Sequence, residues 1–486
     1  MLHIGRNIFS LVVSRITAGV ILFLIYTRLV QYLGPEVAGQ YGLISSYLLV
    51  FSFFIDLGMS QLVIKKVSEN QTHADKYLNN YFLIQLVLGF VFMAIMDAVV
   101  YFANYPPTVQ SALYVASLGL LLSAVSLPFR SVVNAFQKLT VIAKVNFVNS
   151  LINGAMMALA IWLRQDIFFL AFISVTVSIF DIIVYGYIVH KKFVPFRWQF
   201  DPQFIKTLFI WTWPFTLLTV FSIYNRVDTL LLPHFRNFTE TGYYAAAYKF
   251  WDVLAFLPNV IGISLYPFFA EMIAKGLKDQ VKIGLETYTR YMIALGLPLA
   301  LGAYLLAPQL TLAFYGKDFL PAAGALWLLV SAVAILLIYS PANSLIISQE
   351  TRLATRVTGS TLFLNLILNV IFIPKYGFVA AAAVTVLSEL NQAFWYWILI
   401  RKKIIEYRFL RYFIKPIVAG AVMAAAVMFL KETNLWLAIL GGAVVYGLVL
   451  LGQKFFQRSD WELFKAAIDI RKPAAAPASD INPSGT

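Results

Sequence analysis

Residues 78–103 read LNNYFLIQLVLGFVFMAIMDAVVYFA, an apolar run with one acidic side chain, Asp97, and no basic one. A helix of about 20 mostly apolar residues crosses the hydrocarbon core of a bilayer. A surface helix of a soluble protein would instead carry a polar stripe opposite its buried face. This stretch has none of that contrast, so it reads as a transmembrane helix.

The same template, moved outward along the chain, finds further spans near 7–30, 41–64, 109–129, 145–163, 167–190, 207–233, 243–270, 287–307, 322–348, 357–374, 378–400, 412–430 and 435–456. The total is about fourteen. The pair 357–374 and 378–400 also reads as one hairpin unit, which leaves thirteen or fifteen open. Composition agrees: 60% of the residues are hydrophobic, 12% are charged and mean hydropathy is +0.78. Soluble domains carry roughly 25% charged residues, whereas lipid itself solvates an apolar exterior. The fold class expected is therefore all-α integral membrane. The chain has no cysteine and only four histidines, His3, His73, His190 and His234. Disulfides and thiolate metal sites are excluded, and no metal or cofactor is expected. The N-terminal apolar stretch carries Arg15 in its middle and lacks a small-residue cleavage site, so it reads as a retained helix.

Basic residues orient the array. Of 37 Lys and Arg, Arg28, Arg164, Arg236, Lys317, Lys375 and Lys431 fall in loops on one side. Arg15, Arg226 and Lys249 lie inside spans, and the other 28 fall on the side of the N-terminus. Cytoplasmic loops are the basic ones, so both termini are expected in the cytoplasm, in the plasma (inner) membrane of a bacterium. The net charge of +14 is then mostly a topology signal. It suits an anionic leaflet and calls for no nucleic acid. The final stretch 471–486, rich in Ala, Pro and Ser, reads as a disordered tail.

Two halves echo each other. Gly39-Gln-Tyr41 opens the second span and Gly242-Tyr-Tyr244 the eighth, an offset of 203. Gln137, Lys144, Val145 and Asn153 recur as Gln349, Arg356, Val357 and Asn365, an offset of 212. Both halves hold six spans and start on the same side, so the repeats are parallel, related by a pseudo-twofold axis along the membrane normal. The organisation expected is an N-terminal lobe over 1–200, a C-terminal lobe over 201–405, two accessory helices over 406–458, and a tail over 459–486.

Ionisable groups inside a bilayer cost about 2.5–3.5 kcal/mol each on insertion scales and are functional candidates for that reason. They fall on Arg15 in the first span, Asp56 in the second, Arg226 and Asp228 in the seventh, and Lys249 and Asp252 in the eighth. Asp181 and Glu389 lie elsewhere. The basic groups mark the helices that begin each lobe and would line a central cleft, which suits an anion such as pyrophosphate. Other readings stand beside this one. Lys249 and Asp252 share a helix face and can neutralise each other. Arg15 can snorkel. Asp56, followed by Gly58, can cap a kinked helix. Arg226 and Asp228 point to opposite faces, and Arg226 is the one assigned to the cleft. Asp228, Asp181 and Glu389 are candidates for ion or proton coupling, or for plain interhelical hydrogen bonding. Tyr224 and Tyr248, beside the charges, are candidates for stacking on sugars.

The runs GPEVAGQYGLISSYLLVFSFFIDLGMSQLVIKK from residue 34, YNRVDTLLL from 224, TGYYAAAYKFWDVLAFLPNVIGISLYPFFAEM from 241 and IPKYGFVAAAAVTVLSE from 373 resemble bacterial polysaccharide-unit flippases. These belong to the superfamily of multidrug, oligosaccharidyl-lipid and polysaccharide exporters. The resemblance implies two six-helix lobes around a V-shaped cleft lined by the first, second, seventh and eighth helices, plus two accessory helices. It implies movement of a polyprenyl-pyrophosphate-linked oligosaccharide from the cytoplasmic to the outer leaflet. The partners it implies are that lipid, membrane lipids, and polysaccharide polymerase or assembly proteins. Arg15, Asp56, Arg226 and Lys249 occupy the cleft helices. Rivals in the same superfamily are a multidrug/cation antiporter, which wants an acidic cleft, and a lipid II flippase. A membrane glycosyltransferase or polymerase is disfavoured by short outer loops whose acids are few: Glu36, Asp166, Glu240, Asp318 and Glu432. A transporter rather than an enzyme is expected.

Overall fold

A computed structural model describes residues 2–221, 224–406 and 409–456, with side chains except at 2–18, 214, 217–221, 224–225 and 263–264. The side chains of Arg15 and Tyr224, and the tail 471–486, lie outside the described residues. All regular structure among the described residues is helical.

Among the described residues, eleven helices are long and apolar enough to cross a membrane. Two of them are hairpins. Leu2–Asp56 breaks at Gly34, with φ 74°, into α1 (2–33) and the start of α2. Tyr26 and Tyr41, on either side of the break, lie with rings 6.4 Å apart. Thr351–Lys403 breaks at Gly377, with φ 64°, into α11 (351–376) and α12 (378–403). Asn365 Nδ2 donates to Ser388 Oγ at 3.0 Å, and Asn391 Nδ2 to Thr361 Oγ1 at 2.9 Å, so the arms run antiparallel. Only glycine adopts such backbone without strain, which puts both turns at glycine.

The remaining spans follow in order. α2 covers 35–56 and resumes as Met59–Glu69; α3 is Ala74–Phe102, α4 Pro107–Ala135, α5 Leu139–Trp162 and α6 Ile167–Lys192. α7 comprises Pro202–Phe221 and Tyr224–Phe235, and α8 comprises Phe238–Leu254 and Phe256–Ala274. α9 is Lys278–Tyr315, α10 Ala323–Gln349, α13 Ile414–Leu430 and α14 Leu435–Gly452. That makes fourteen among the described residues. Three turns at the end away from the basic loops carry a side-chain cap. Asp166 Oδ1 accepts from Phe168 N at 3.0 Å, Asn237 Oδ1 from Glu240 N at 2.8 Å, and Asn434 Oδ1 from Trp436 N at 2.8 Å. Each cap satisfies an N–H that the first helical turn leaves open.

The first half of α7 packs on the N-terminal lobe: Leu208 is buried among Met59, Leu62 and Tyr81. Lys76 pairs with Asp201 at 2.8 Å, and the Phe204 ring meets Tyr77 edge-on. The second half belongs to the C-terminal lobe, where Leu232 sits in a core with Tyr244, Leu326 and Ile373. Hydropathy gives α7 one continuous span and says nothing about which neighbour each half chooses. α13 and α14 lie against α9, with Met423, Val427 and Tyr446 packed on Ala294 and Leu306.

At the end away from the basic loops the lobes meet helix to helix. A methyl on Gly39 would sit 1.9 Å from the Phe238 carbonyl oxygen, and one on Gly242 would sit 1.8 Å from that of Pro35. Pro35 and Phe238, like Gly39 and Gly242, are 203 residues apart, so the contact is reciprocal. Gly42 and Ala245, again 203 apart, face each other, with 2.9 Å between a Gly42 methyl and Ala245 Cβ. The pseudo-twofold axis therefore passes between them. The 203-residue repeat legible in the sequence forms part of this contact surface. Gln31 Nε2, donating to the Phe314 carbonyl at 3.0 Å, adds a second tie between the lobes at this end.

Candidate functional site

Below that joint the lobes part around a cavity of about 330 Å³, lined by Tyr26, Tyr41, Ser45, Asn153, Arg226 and Lys249 among others. It shares Leu49, Arg226, Tyr248 and Asp252 with a second cavity of about 570 Å³, which reaches Phe256 and Asn259. Asn259 also borders a third, of about 370 Å³, with Tyr266 and Asn343. Because α8 descends from Phe238 to Ala274, this series runs from the joint toward the basic loops.

The charged centre is a triad. Arg226 Nη2 donates to Asp252 Oδ1 at 2.7 Å, and the guanidinium lies 4.4 Å from the centre of the Tyr248 ring. Lys249 Nζ is 4.0 Å from Asp252 Oδ2 and 4.8 Å from the centre of the Tyr26 ring. Two cations thus share one carboxylate. Aromatic faces hold both heads by cation–π attraction without neutralising either. Arg226, Lys249 and Asp252 keep 23%, 30% and 32% of their side-chain surface open, which is enough to meet a ligand. Lys249 and Asp252 are neighbours as their spacing requires, but the shorter bond of Asp252 goes to Arg226, one helix away.

Asp228 points the other way. It is 1% exposed. Its carboxylate accepts from Tyr244 Oη, from Thr229 N at 2.7 Å and from Thr385 Oγ1 at 3.4 Å, which ties α7, α8 and α12 together. Glu389, fully buried on α12, accepts from Tyr339 Oη at 2.5 Å. Asp181 accepts from Asn149 Nδ2 at 2.8 Å, between α5 and α6 of the other lobe. None of the three lines the cavities just described.

Asp56 does not line them either; it closes the break in α2. After Leu57 (φ 49°) and Gly58 (φ 75°) the helix restarts, and Asp56 Oδ1 accepts from Ser60 N at 2.9 Å. Oδ2 accepts from Ser60 Oγ at 2.6 Å, and Tyr81 Oη donates to Oδ1 at 2.9 Å. Of the two readings open for Asp56, a substrate ligand and a cap on a kinked helix, these bonds fit the cap. We expect Asp56→Ala to lower the thermal unfolding midpoint of the detergent-solubilised protein, a loss of about 1–2 kcal/mol. Its affinity for a pyrophosphate lipid should stay at the wild-type value, and a loss of affinity at unchanged stability would return Asp56 to the binding site.

Several lining residues escaped the sequence reading. Tyr26, Tyr41, Ser45, Asn153 and Trp251 are uncharged, so nothing about their presence in a span is costly enough to single them out. A usable signal existed for Asn153, which repeats as Asn365. The structure puts Asn153 on the cavity and buries Asn365 against Ser388.

Comparison with known proteins fits this architecture. Solved structures share the fold. A lipid II flippase in an inward closed conformation superposes with a TM-score of 0.72 at 17% identity, covering 95% of this chain and 99% of that one. An inward-facing multidrug resistance transporter gives 0.58 at 14% identity, with 88% and 99% covered. An uncharacterized membrane protein of Methanocaldococcus jannaschii is 30% identical over 285 residues, 56% of this chain and 55% of its own length. A probable low-salt glycan biosynthesis flippase of Haloferax volcanii is 24% identical over 166 residues, 34% and 35% respectively. The chain thus spans about half, or less, of the curated relatives it matches. A family model described as polysaccharide biosynthesis protein matches residues 4–273, more than half the sequence, and the chain belongs to that family.

Proposed function

We propose that this multi-pass membrane protein is a flippase that carries a polyprenyl-pyrophosphate-linked oligosaccharide from the cytoplasmic to the outer leaflet. The observation that carries this reading is the excess cation in the cleft wall, Arg226 and Lys249 against Asp252. A pyrophosphate offers the negative charge and acceptor oxygens that such a pair lacks. Unaided passage of that head through hydrocarbon is blocked by the cost of stripping its water. A cleft that opens to one side and then the other removes most of this cost, while the polyprenyl tail stays in lipid. Likeness to a probable glycan biosynthesis flippase supports the same reading. An antiporter of cations would want the opposite charge balance.

The outer side is the end holding Gly39 and Gly242, assigned by the basic loops at the other end. Both termini are then cytoplasmic and the membrane is the plasma membrane. In this state the cleft faces the cytoplasm. Asp228, a buried carboxylate joining three helices of one lobe, is the group through which an ion or proton gradient would drive the cycle.

The test is transbilayer movement in proteoliposomes. Wild type should move an undecaprenyl-pyrophosphate-linked oligosaccharide and should not exchange a lipophilic cationic dye against protons. Dye exchange without lipid movement would replace the flippase by the antiporter.

A further inference from the structure

A separate cavity of about 240 Å³ lies inside the N-terminal lobe, between α2, α4, α5 and α6. It shares Tyr41, Ser45 and Asn153 with the central cleft, so it opens off it. Besides Tyr41, the polar lining is Ser45, Ser52, Ser123, Asn153, Ser174 and Ser178, with no carboxylate and no cation among the lining residues. A serine inside a spanning helix usually gives its proton to a nearby carbonyl, and that happens here. Ser45 donates to the Tyr41 carbonyl at 3.0 Å, Ser52 to Leu49 at 2.6 Å, Ser174 to Ala171 at 2.8 Å, and Ser178 across to Gly119 at 3.0 Å. Each oxygen still has a lone pair to offer. The cavity wall is therefore neutral and rich in acceptors, with the side-chain carbonyl of Asn153 added to them and the hydroxyls of Tyr41 and Ser123 as donors. Its shape follows from Gly119, where a methyl would collide with Ser174 Oγ at 2.2 Å. That close approach brings α4 and α6 together on one side of the pocket.

This chemistry chooses among ligands. A cation finds no counter-charge, and an anion finds better partners at Arg226 and Lys249. A polyol brings many hydroxyls, each both donor and acceptor, which suits a neutral wall rich in acceptors with a few donors. The volume admits one pyranose ring, not a chain of them. We propose that this N-lobe pocket binds a single uncharged pyranose of the glycan head while the pyrophosphate rests on the cationic triad. The inference rests on the flippase reading and adds a subsite to it.

The experiment uses the full chain in nanodiscs and two probes, undecaprenyl pyrophosphate bare and carrying one N-acetylglucosamine. Wild type should bind the sugar-bearing lipid about tenfold more tightly, the worth of one or two net hydrogen bonds. Ser123→Leu fills the pocket and should erase that difference while leaving bare-lipid affinity unchanged. Ser123→Thr keeps a hydroxyl and should keep the difference. An unchanged preference in Ser123→Leu, a parallel loss for both lipids, or no preference in wild type overturns the pocket and leaves the flippase reading standing. Failure of wild type to bind either lipid overturns both.

Discussion

Leucine at Gly39 or Gly242 should abolish transport in a protein that still folds. At both positions the first side-chain carbon would lie less than 2 Å from a carbonyl oxygen of the other lobe. Ordinary contact requires the helices to part by about 1.5 Å more. No flexible neighbour can absorb that, because the obstacle on each side is backbone. The joint cannot close, so the state with the cleft open only to the cytoplasm is lost. The cleft should then be reached from outside by an impermeant thiol reagent, using Ser45→Cys as reporter in a chain with no native cysteine. Gly186→Ala is the control, since nothing lies within 4 Å of the added carbon there. Transport at the wild-type rate in either leucine variant would mean that the joint is not needed in the cycle.

A second large effect is expected at the triad. Arg226→Ala removes the cation with the better geometry for phosphate oxygens. A hydrogen bond to a charged group is worth about 1.5–3 kcal/mol, so affinity for the pyrophosphate lipid should fall roughly ten- to hundredfold. Lys249 remains 4.0 Å from Asp252 and can close on it, which keeps the carboxylate paired and the fold intact. Arg226→Lys should recover only part of the loss, because a point charge replaces the planar fork. Asp252→Asn acts with the opposite sign. It frees both cations, so binding should tighten and release should slow. Isothermal titration of the three variants in nanodiscs reads these signs directly, and tighter binding by Arg226→Ala would contradict the anion site.

How far the sequence led differs between fold and site. Bilayer thickness imposes a length on every apolar run, so the fourteen spans were legible one by one. Helix ends were not, because a helix continues past the hydrocarbon wherever its backbone bonds do. α9 runs over 38 residues, Lys278–Tyr315, well beyond the apolar window 287–307, and carries Lys278, Lys282 and Glu286 on its extension. The neighbours of the first half of α7 were not legible: Leu208 and Phe204 pack on α2 and α3, and side-chain partners leave no mark on hydropathy. The charges at Arg226, Lys249 and Asp252 stood out because each is costly in lipid. Asp56 stood out for the same reason, and its bonds to Ser60 fit the other reading the sequence offered, a cap on a broken helix. Gly39 and Gly242 were visible as a repeat. That two repeated glycines touch across the axis is a property of the folded dyad, and required the structure.

The most direct measurement of the account couples that joint to movement of the lipid. Gly42→Cys and Ala245→Cys in the cysteine-free chain put two thiols at the axis, where parting by about 1 Å seats a disulfide. Oxidised proteoliposomes should show no transbilayer movement of the pyrophosphate-linked oligosaccharide, and a reductant should restore it. Undiminished movement with the crosslink complete would contradict passage between the lobes.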